Sequence, residues 1–375
     1  MKTIFSPMAS PAITLKTRFP FPSLSQQRPL RNPKHFFAYT IKTSSKQNVS
    51  LSRNAVRRTK CSFSVAHASD GIRESEEENC RKIPFSDEST VGKKRAFWKR
   101  WWNYWDLTRA TEISYVHLLS LLAPFQFNLS ALRVALGLYV ITILSITLSY
   151  HRNLAHRSFN LPKWLEYSLA FIGTLAGQGD PIEWVSYHRY HHHYCETQRD
   201  PHSPTQGFWF SHILWIFDTD YINQKCGGLH NNVADLVKQP FYRFLERTWI
   251  WNNVALALLL YLWGGLPFFI WGICVRKVVA FHATFLVNSA SHVWGNRVWK
   301  TNDLSKNSWW IALLTMGEGW HNNHHAFEFS ARHGLEWWQL DVTWYVIMFL
   351  RAVGLATDVK LPTEAQKQRM ALSDG

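Results

Sequence analysis

Between Ile113 and Leu132, and again between Val134 and Tyr150, the chain carries no Asp, Glu, Lys or Arg. Thr248 to Val275 is a third charge-free run, of 28 residues, and Val278 to Asn296 follows with only His282 and His292 as ionisable groups. Each stretch is close to the roughly 20 residues that an α-helix needs to cross a hydrocarbon layer. No water reaches a backbone there, so the segment must satisfy its own hydrogen bonds, as a helix does. Residues 128–133, NLSALR, read as a short turn between the first two runs. The third run is broken at Trp263-Gly264-Gly265-Leu266-Pro267. The pattern predicts an all-α integral membrane protein with four transmembrane helices in two antiparallel hairpins.

Two other segments fit around that frame. The apolar part of LEYSLAFIGTLAG, residues 165–177, is too short for a full crossing and reads as a re-entrant or interfacial helix. Arg189 to Arg247 is polar and aromatic and reads as an extramembrane cap. Upstream, Trp98, Trp101, Trp102 and Trp105 recur at helical spacing, which predicts a helix lying in the membrane interface. The 20 Trp and 13 Tyr of the whole chain agree with wide membrane–water boundaries, where these residues settle.

The formal charge of +15 is misleading unless it is located. Residues 1–69 hold twelve Lys/Arg and no acid, and beyond them 29 basic face 26 acidic residues. A basic, acid-free, Ser/Thr-rich leader is the composition of an organelle transit peptide, here of plastid type. The remainder is balanced, so no nucleic-acid partner is expected. Residues 70–94, including GIRESEEENCRK, read as a disordered acidic linker. The five cysteines show no C-x-x-C and no regular spacing, which supports neither a disulfide framework nor a zinc ribbon.

Histidine carries the chemistry. HRNLAH places His151 and His156 directly after the second apolar run; HRYHH holds His188, His191 and His192; HNNHH holds His321, His324 and His325; NSASH ends in His292. Positions i, i+3 and i+4 fan over one helix face, so each H-x-x-H-H is expected to converge on a point beside its helix. Two such helices facing each other could hold two metal ions. His151 and His156, five apart, need a helix end or a bend to point together. Imidazole suits Fe, Zn, Cu or Ni. An even number of crossings separates the groups, so all nine histidines emerge on one side. A metal transporter would instead place its histidines within the spans. Glu318 makes one E-x-x-H with His321, but a ferritin-like bundle needs two such motifs. His193, His202, His212, His230, His282 and His333 read as supporting or ordinary polar residues, and His117 as a partner for a neighbouring helix.

In these blocks, together with QGDPIEW, DPHSPTQGFWFSH and EGWHNNHH, the chain resembles the membrane fatty acyl desaturases of the stearoyl-CoA-desaturase-like group, over residues 95–362. The leader and the closing LATDVKLP resemble its plant branch. The resemblance implies two iron ions, with His151, His156, His188, His191, His192, His292, His321, His324 and His325 as ligands and Asn288 holding a water. It implies an acyl tunnel beside the metals, with Gln178, Asp180 and Trp184 in its lining segment; Gly179 and Pro181 depart from the acyl-CoA form. The expected reaction is O2-dependent cis desaturation of a membrane acyl lipid in a chloroplast membrane. The expected substrate is a 16-carbon chain of a galactolipid, cut at position 7. A Δ9 acyl-CoA desaturase or a related di-iron hydroxylase is the alternative. No haem, flavin or ferredoxin motif is fused, so electrons come from a separate donor, soluble ferredoxin in a plastid. Residues 363–375 are left as a tail.

Overall fold

The computed structural model describes residues 100–372; the leader (1–69), the acidic linker (70–94) and Trp98 lie outside the described residues. Helix α1 spans Tyr104–Ser120. Its start is fixed by a capping box in which Asn103 accepts from the Asp106 backbone and Asp106 answers to the Asn103 backbone. That box overrides the tryptophan periodicity. Residues 101–103 are non-helical, Trp101 stands 90 % exposed, and of the described tryptophans in the stripe only Trp105 lies in the helix.

Asp106 is buried and also accepts from Arg100, from the Thr219 backbone at 2.9 Å and from the Thr219 hydroxyl at 2.8 Å. It therefore pins the first helix to the cap. Asp106→Asn is expected to destabilise the protein by about 2 kcal/mol, the worth of hydrogen bonds to a charged group. A thermal melt in detergent checks this, and an unchanged transition would refute the pinning role.

The turn between the first two helices lies over residues 121–127, not 128–133. Pro124 stands in that turn, and Asn128 caps helix α2 (Leu129–Ser145) by accepting from the Ala131 backbone at 3.0 Å. Residues 129–133 are thus the first turns of α2, and Arg133 is carried on its exposed side. From Ile146 to Ala155 the rod continues as a π-helix. Then come α3 (Lys163–Thr174) and α4 (Pro181–Tyr194), the latter started by Asp180, whose carboxylate accepts from the Ile182 and Glu183 backbones. The cap is built of short helices, α5 (Phe208–His212), α6 (Thr219–Lys225) and α7 (Ala234–Val237).

Helix α8 (Pro240–Phe269) contains the expected break: Gly264 and Gly265 leave helical geometry, and Gly265 takes a φ of +66°, open to glycine at little cost. A π-helical turn over Ile270–Val275 leads into α9 (Arg276–Asn288). Leu129–Ala155 and Pro240–His292 are long and apolar enough to cross a membrane. His117 on α1 meets His282 on α9 at 3.1 Å between their Nε2 atoms, the interhelical partner expected of it. After α9 come α10 (Trp309–Leu314), α11 (His321–Ala326), α12 (Val342–Ala352) and α13 (Glu364–Met370). The last falls in the segment read as a tail. A Thr363–Gln366 capping box starts it, and its end bonds back to Lys300. Among the described residues there is no β-strand, only isolated bridges.

Candidate metal centre

His151 and His156 show how local structure makes the site. In a π-helix the backbone bonds run from i to i+5, so residues five apart stack on one face. The His156 N–H donates to the His151 carbonyl at 3.1 Å, and the two rings lie 4.9 Å apart. The bend required by the five-residue spacing is this π segment.

The nine histidines form two groups, of five and four. His151, His156, His188, His192 and His324 make one; His191, His292, His321 and His325 make the other. Within each group the candidate ligand atoms lie within 4.8 Å of one another. The expectation that each H-x-x-H-H converges on a single point is therefore corrected. In both helices i and i+4 serve one group and i+3 the other. At 3.6 residues per turn, i+4 lies about 40° from i, whereas i+3 lies about 60° away in the opposite sense. Helix α4 gives His188 and His192 to the larger group, and α11 gives His321 and His325 to the smaller.

The ring nitrogens are sorted. Nε2 atoms face inward: His151 to His324 at 3.1 Å, His324 to His192 at 2.9 Å, His156 to His188 at 2.8 Å and His321 to His292 at 3.0 Å. Five Nδ1 atoms face carboxylates: His151 to Glu318 (2.7 Å), His191 to Asp200 (3.1 Å), His192 to Glu328 (3.4 Å), His292 to Glu196 (3.0 Å) and His325 to Asp303 (3.0 Å). A carboxylate behind an imidazole fixes its tautomer and raises its basicity toward a metal on the other side. Glu196 holds a φ of +60°, a conformation that costs a non-glycine residue about 1 kcal/mol or more and recurs at functional sites.

The donor set fits a metal. Burial, then the neighbouring histidines, push His156, His188, His192, His321 and His324 well below the usual imidazole range, so they are neutral with a lone pair free. Burial likewise takes His325 down to about 4 despite Asp303. His191 moves up: burial opposes its charge, but Asp200 more than offsets that. The buried Nε2 of His325 finds no hydrogen-bond partner among the described residues. Nitrogens on one ion at roughly 2.1 Å stand no more than about 4.2 Å apart, so each group, with its ligand atoms within 4.8 Å of one another, is compact enough to close on an ion.

The other letters of the boxes bind the centre together. Arg152 is fully buried and donates to Glu318, to both oxygens of Asp341 and to the Ala331 carbonyl. Arg189 donates to Asp235 and to the carbonyls of Leu154 and Ala155, joining the second box to the end of the first. Asn322 accepts from the backbones of Val298 and Trp299, and Asn323 from the Trp299 indole and from Asn307. Sequence reasoning missed these partners and the carboxylates. The E-x-x-H spacing marks Glu318 in the sequence, but nothing local marks Asp200, Glu196 or Asp303. His333, read as supporting, packs 4.4 Å from the His324 ring with its Nδ1 3.0 Å from Glu318.

A cavity adjoins the larger group, lined by Gln178, Trp184, His188, Thr284 and Asn288 among others. Trp184 stacks on His188 at 5.0 Å between centroids, and Gln178 donates to Thr284 at 2.9 Å. Asp180 does not line it; its carboxylate is spent on capping α4.

Nine imidazoles in two clusters, backed by carboxylates and set beside a largely apolar cavity at the end of membrane-length helices, define an oxidative lipid enzyme. The fatty acid desaturase family profile matches residues 127–348, and the chain belongs to that family of oxygen-dependent desaturases. It is 62 % identical over 295 residues (78 % of this chain, 79 % of the relative) to the chloroplastic palmitoyl-monogalactosyldiacylglycerol delta-7 desaturase of Arabidopsis thaliana. It is 62 % identical over 287 residues (76 % and 79 %) to a probable chloroplastic lipid desaturase of the same plant. Against the delta-9 acyl-lipid desaturase 1 of that plant, identity is 56 % over 297 residues (79 % and 97 %).

Proposed function

We propose that the protein introduces a cis double bond at position 7 of a saturated 16-carbon chain on a plastid galactolipid, using two iron ions, one in each histidine group. The carrying observation is the division of nine inward-facing imidazoles into five and four next to an apolar cavity. An alkyl C–H has no acidity for a side chain to exploit, so the oxidising power for removing two hydrogens comes from the metal pair with O2. The protein's own part is positional. Carboxylates aim the imidazoles, Trp184 and Gln178 shape the cavity wall, and Asn288, at the end of α9 and in the cavity lining, is the residue assigned to hold a water at the metals.

In this reading four helical segments cross the membrane: α1, the α2–π rod, and the two limbs of the α8–α9 hairpin. Supporting it, Leu118, Leu121, Leu258, Leu262 and Trp263 are exposed, an apolar outer surface suited to lipid rather than water. The histidine centre and cap lie together on the stromal or envelope-facing side, where soluble ferredoxin delivers electrons. The plastid address rests on residues 1–69 and on the chloroplastic relatives.

The test is to express the chain with and without residues 1–69 and to map double bonds by mass spectrometry, resolved by head group. The expected product is a position-7 double bond in 16-carbon galactolipid chains, present only with the leader. Position-9 products on acyl-CoA in both cases would replace this with an acyl-CoA desaturase, and hydroxylated chains would make it a hydroxylase.

A further inference from the structure

Glu112 on α1 and Lys277 on α9 form a buried ion pair between two apolar helices, away from the histidine groups. Lys277 Nζ donates to Glu112 Oε1 at 2.7 Å, and the lysine side chain is only 2 % exposed. Ionisable residues inside a membrane segment are rare and are retained mainly for function. Arg276, next in sequence, turns away to the carbonyls of Gly272 and Leu175 and the hydroxyl of Thr142, so Lys277 alone faces the glutamate.

The pair stands at the inner end of the cavity. Asn288, Phe285, Thr284 and Phe281 line it along one face of α9, and Lys277 is the next residue inward on that face, one turn beyond Phe281. From Asn288 to Lys277 is eleven residues, or about 16 Å of helix. On α1 the lining ends at Glu112 and Ile113, and the next residue on that face, Val116, is fully buried against Cys274 and Ile273. Cavity therefore gives way to packed core at the ion pair. Gly177 is the matching gap: a Cβ there would lie 2.8 Å from Lys277 Cε and 2.9 Å from Nζ, so the absent side chain makes room for the lysine.

We propose that the Glu112–Lys277 pair, seated over Gly177, closes the acyl cavity and limits the length of chain the enzyme accepts. This rests on the acyl chain occupying that cavity, as in the function proposed above. A flexible apolar side chain would yield to two further methylenes. An ion pair does not, because displacing it strands two charges away from water. The head group sets where the chain begins, and the pair sets how far it can reach.

The test compares two double variants, each removing both charges so that neither is left alone. Glu112→Ala with Lys277→Ala opens the end; Glu112→Gln with Lys277→Met keeps its size. The opened variant is expected to raise the ratio of 18-carbon to 16-carbon products roughly tenfold, the low end for methylene discrimination in a pocket, while the size-matched variant stays near the wild-type ratio. The second readout is melting of purified protein with lipids of each length. An 18-carbon lipid should stabilise the opened variant and not the wild type, since only a ligand that binds the folded state raises its melting temperature. Should the opened variant not accumulate, Ile113→Trp shortens the same end and should shift use from 16- to 14-carbon chains. An unchanged product ratio and unchanged lipid stabilisation in a folded variant would overturn the proposal. Loss of all desaturation by wild type would strike the functional reading instead, and the melting comparison would still decide the length limit.

Discussion

His324→Ala is expected to reduce desaturation to background while the protein still inserts and accumulates in the membrane. His324 is the one residue of the third box in the five-histidine group, where its Nε2 faces both His151 and His192. It is also 1 % exposed, so no water-borne ligand easily takes its place. Loss of an outer partner of a metal ligand already costs 10–100-fold in affinity or activity; loss of the ligand itself should exceed 100-fold, that is, more than about 3 kcal/mol. His191→Ala should do the same from the four-histidine group, because two groups this close act as one centre. Iron content of the purified variants and product analysis of the membranes provide the check. Substantial turnover by either variant would refute the assignment.

The second large effect falls on a residue that touches no substrate. Glu318 Oε1 accepts from Arg152 at 3.0 Å and Oε2 lies 2.7 Å from His151 Nδ1, so one carboxylate serves both a buried guanidinium and a candidate ligand. Glu318→Gln leaves Arg152 with the Asp341 carboxylate and the Ala331 carbonyl and deprives His151 of its orienting charge. Removing one partner of a buried ion pair costs about 3–5 kcal/mol, and a His151 no longer oriented by a carboxylate should lower metal affinity by 10–100-fold. Burial pushes the Glu318 carboxyl up, but Arg152, His151 and His333 together hold it well below its ordinary value of 4.5. A carboxylate held low contributes its stabilisation in full above that ordinary value and loses it only as pH falls through the lower folded-state value. Wild type should thus keep this contribution throughout the range above 4.5, and the variant should lack it at every pH there. Melting curves across pH, with iron analysis at neutral pH, would show it. A variant as stable as wild type and fully loaded would argue that Glu318 is dispensable.

The long apolar helices and the histidine pattern were legible because each is written locally. Charge-free runs announce apolar helices, the Gly264-Gly265 break is its own signal, and H-x-x-H-H states its spacing. What resisted was written across distance or against periodicity. The Asn103–Asp106 box stopped the tryptophan helix because two cap bonds there outweigh side-chain periodicity. Asn128 likewise moved the first turn by several residues, since Asn is a strong cap and a poor helix interior. The allocation of i+3 to the opposite cluster needs the facing helix, which no single box specifies. The carboxylates behind the imidazoles sit in loops whose relation to the boxes only the fold creates. Glu196, for example, reaches His292 across 96 positions of chain.

The division into five and four also sets an order of assembly during synthesis. His151, His156, His188 and His192 all lie within 42 consecutive residues, whereas His324 arrives 132 residues after His192. The first cluster is four-fifths written before the second hairpin has left the ribosome. The second cluster has only His191 at that stage and waits for His292, His321 and His325. Closing so long a loop is entropically slow and comes late in folding. The growing chain therefore passes through a stage in which one group lacks a single imidazole and Arg152 still lacks Glu318 and Asp341. Anything that halts translation before residue 318 leaves that stage as the end point, a chain in which neither histidine group can be completed.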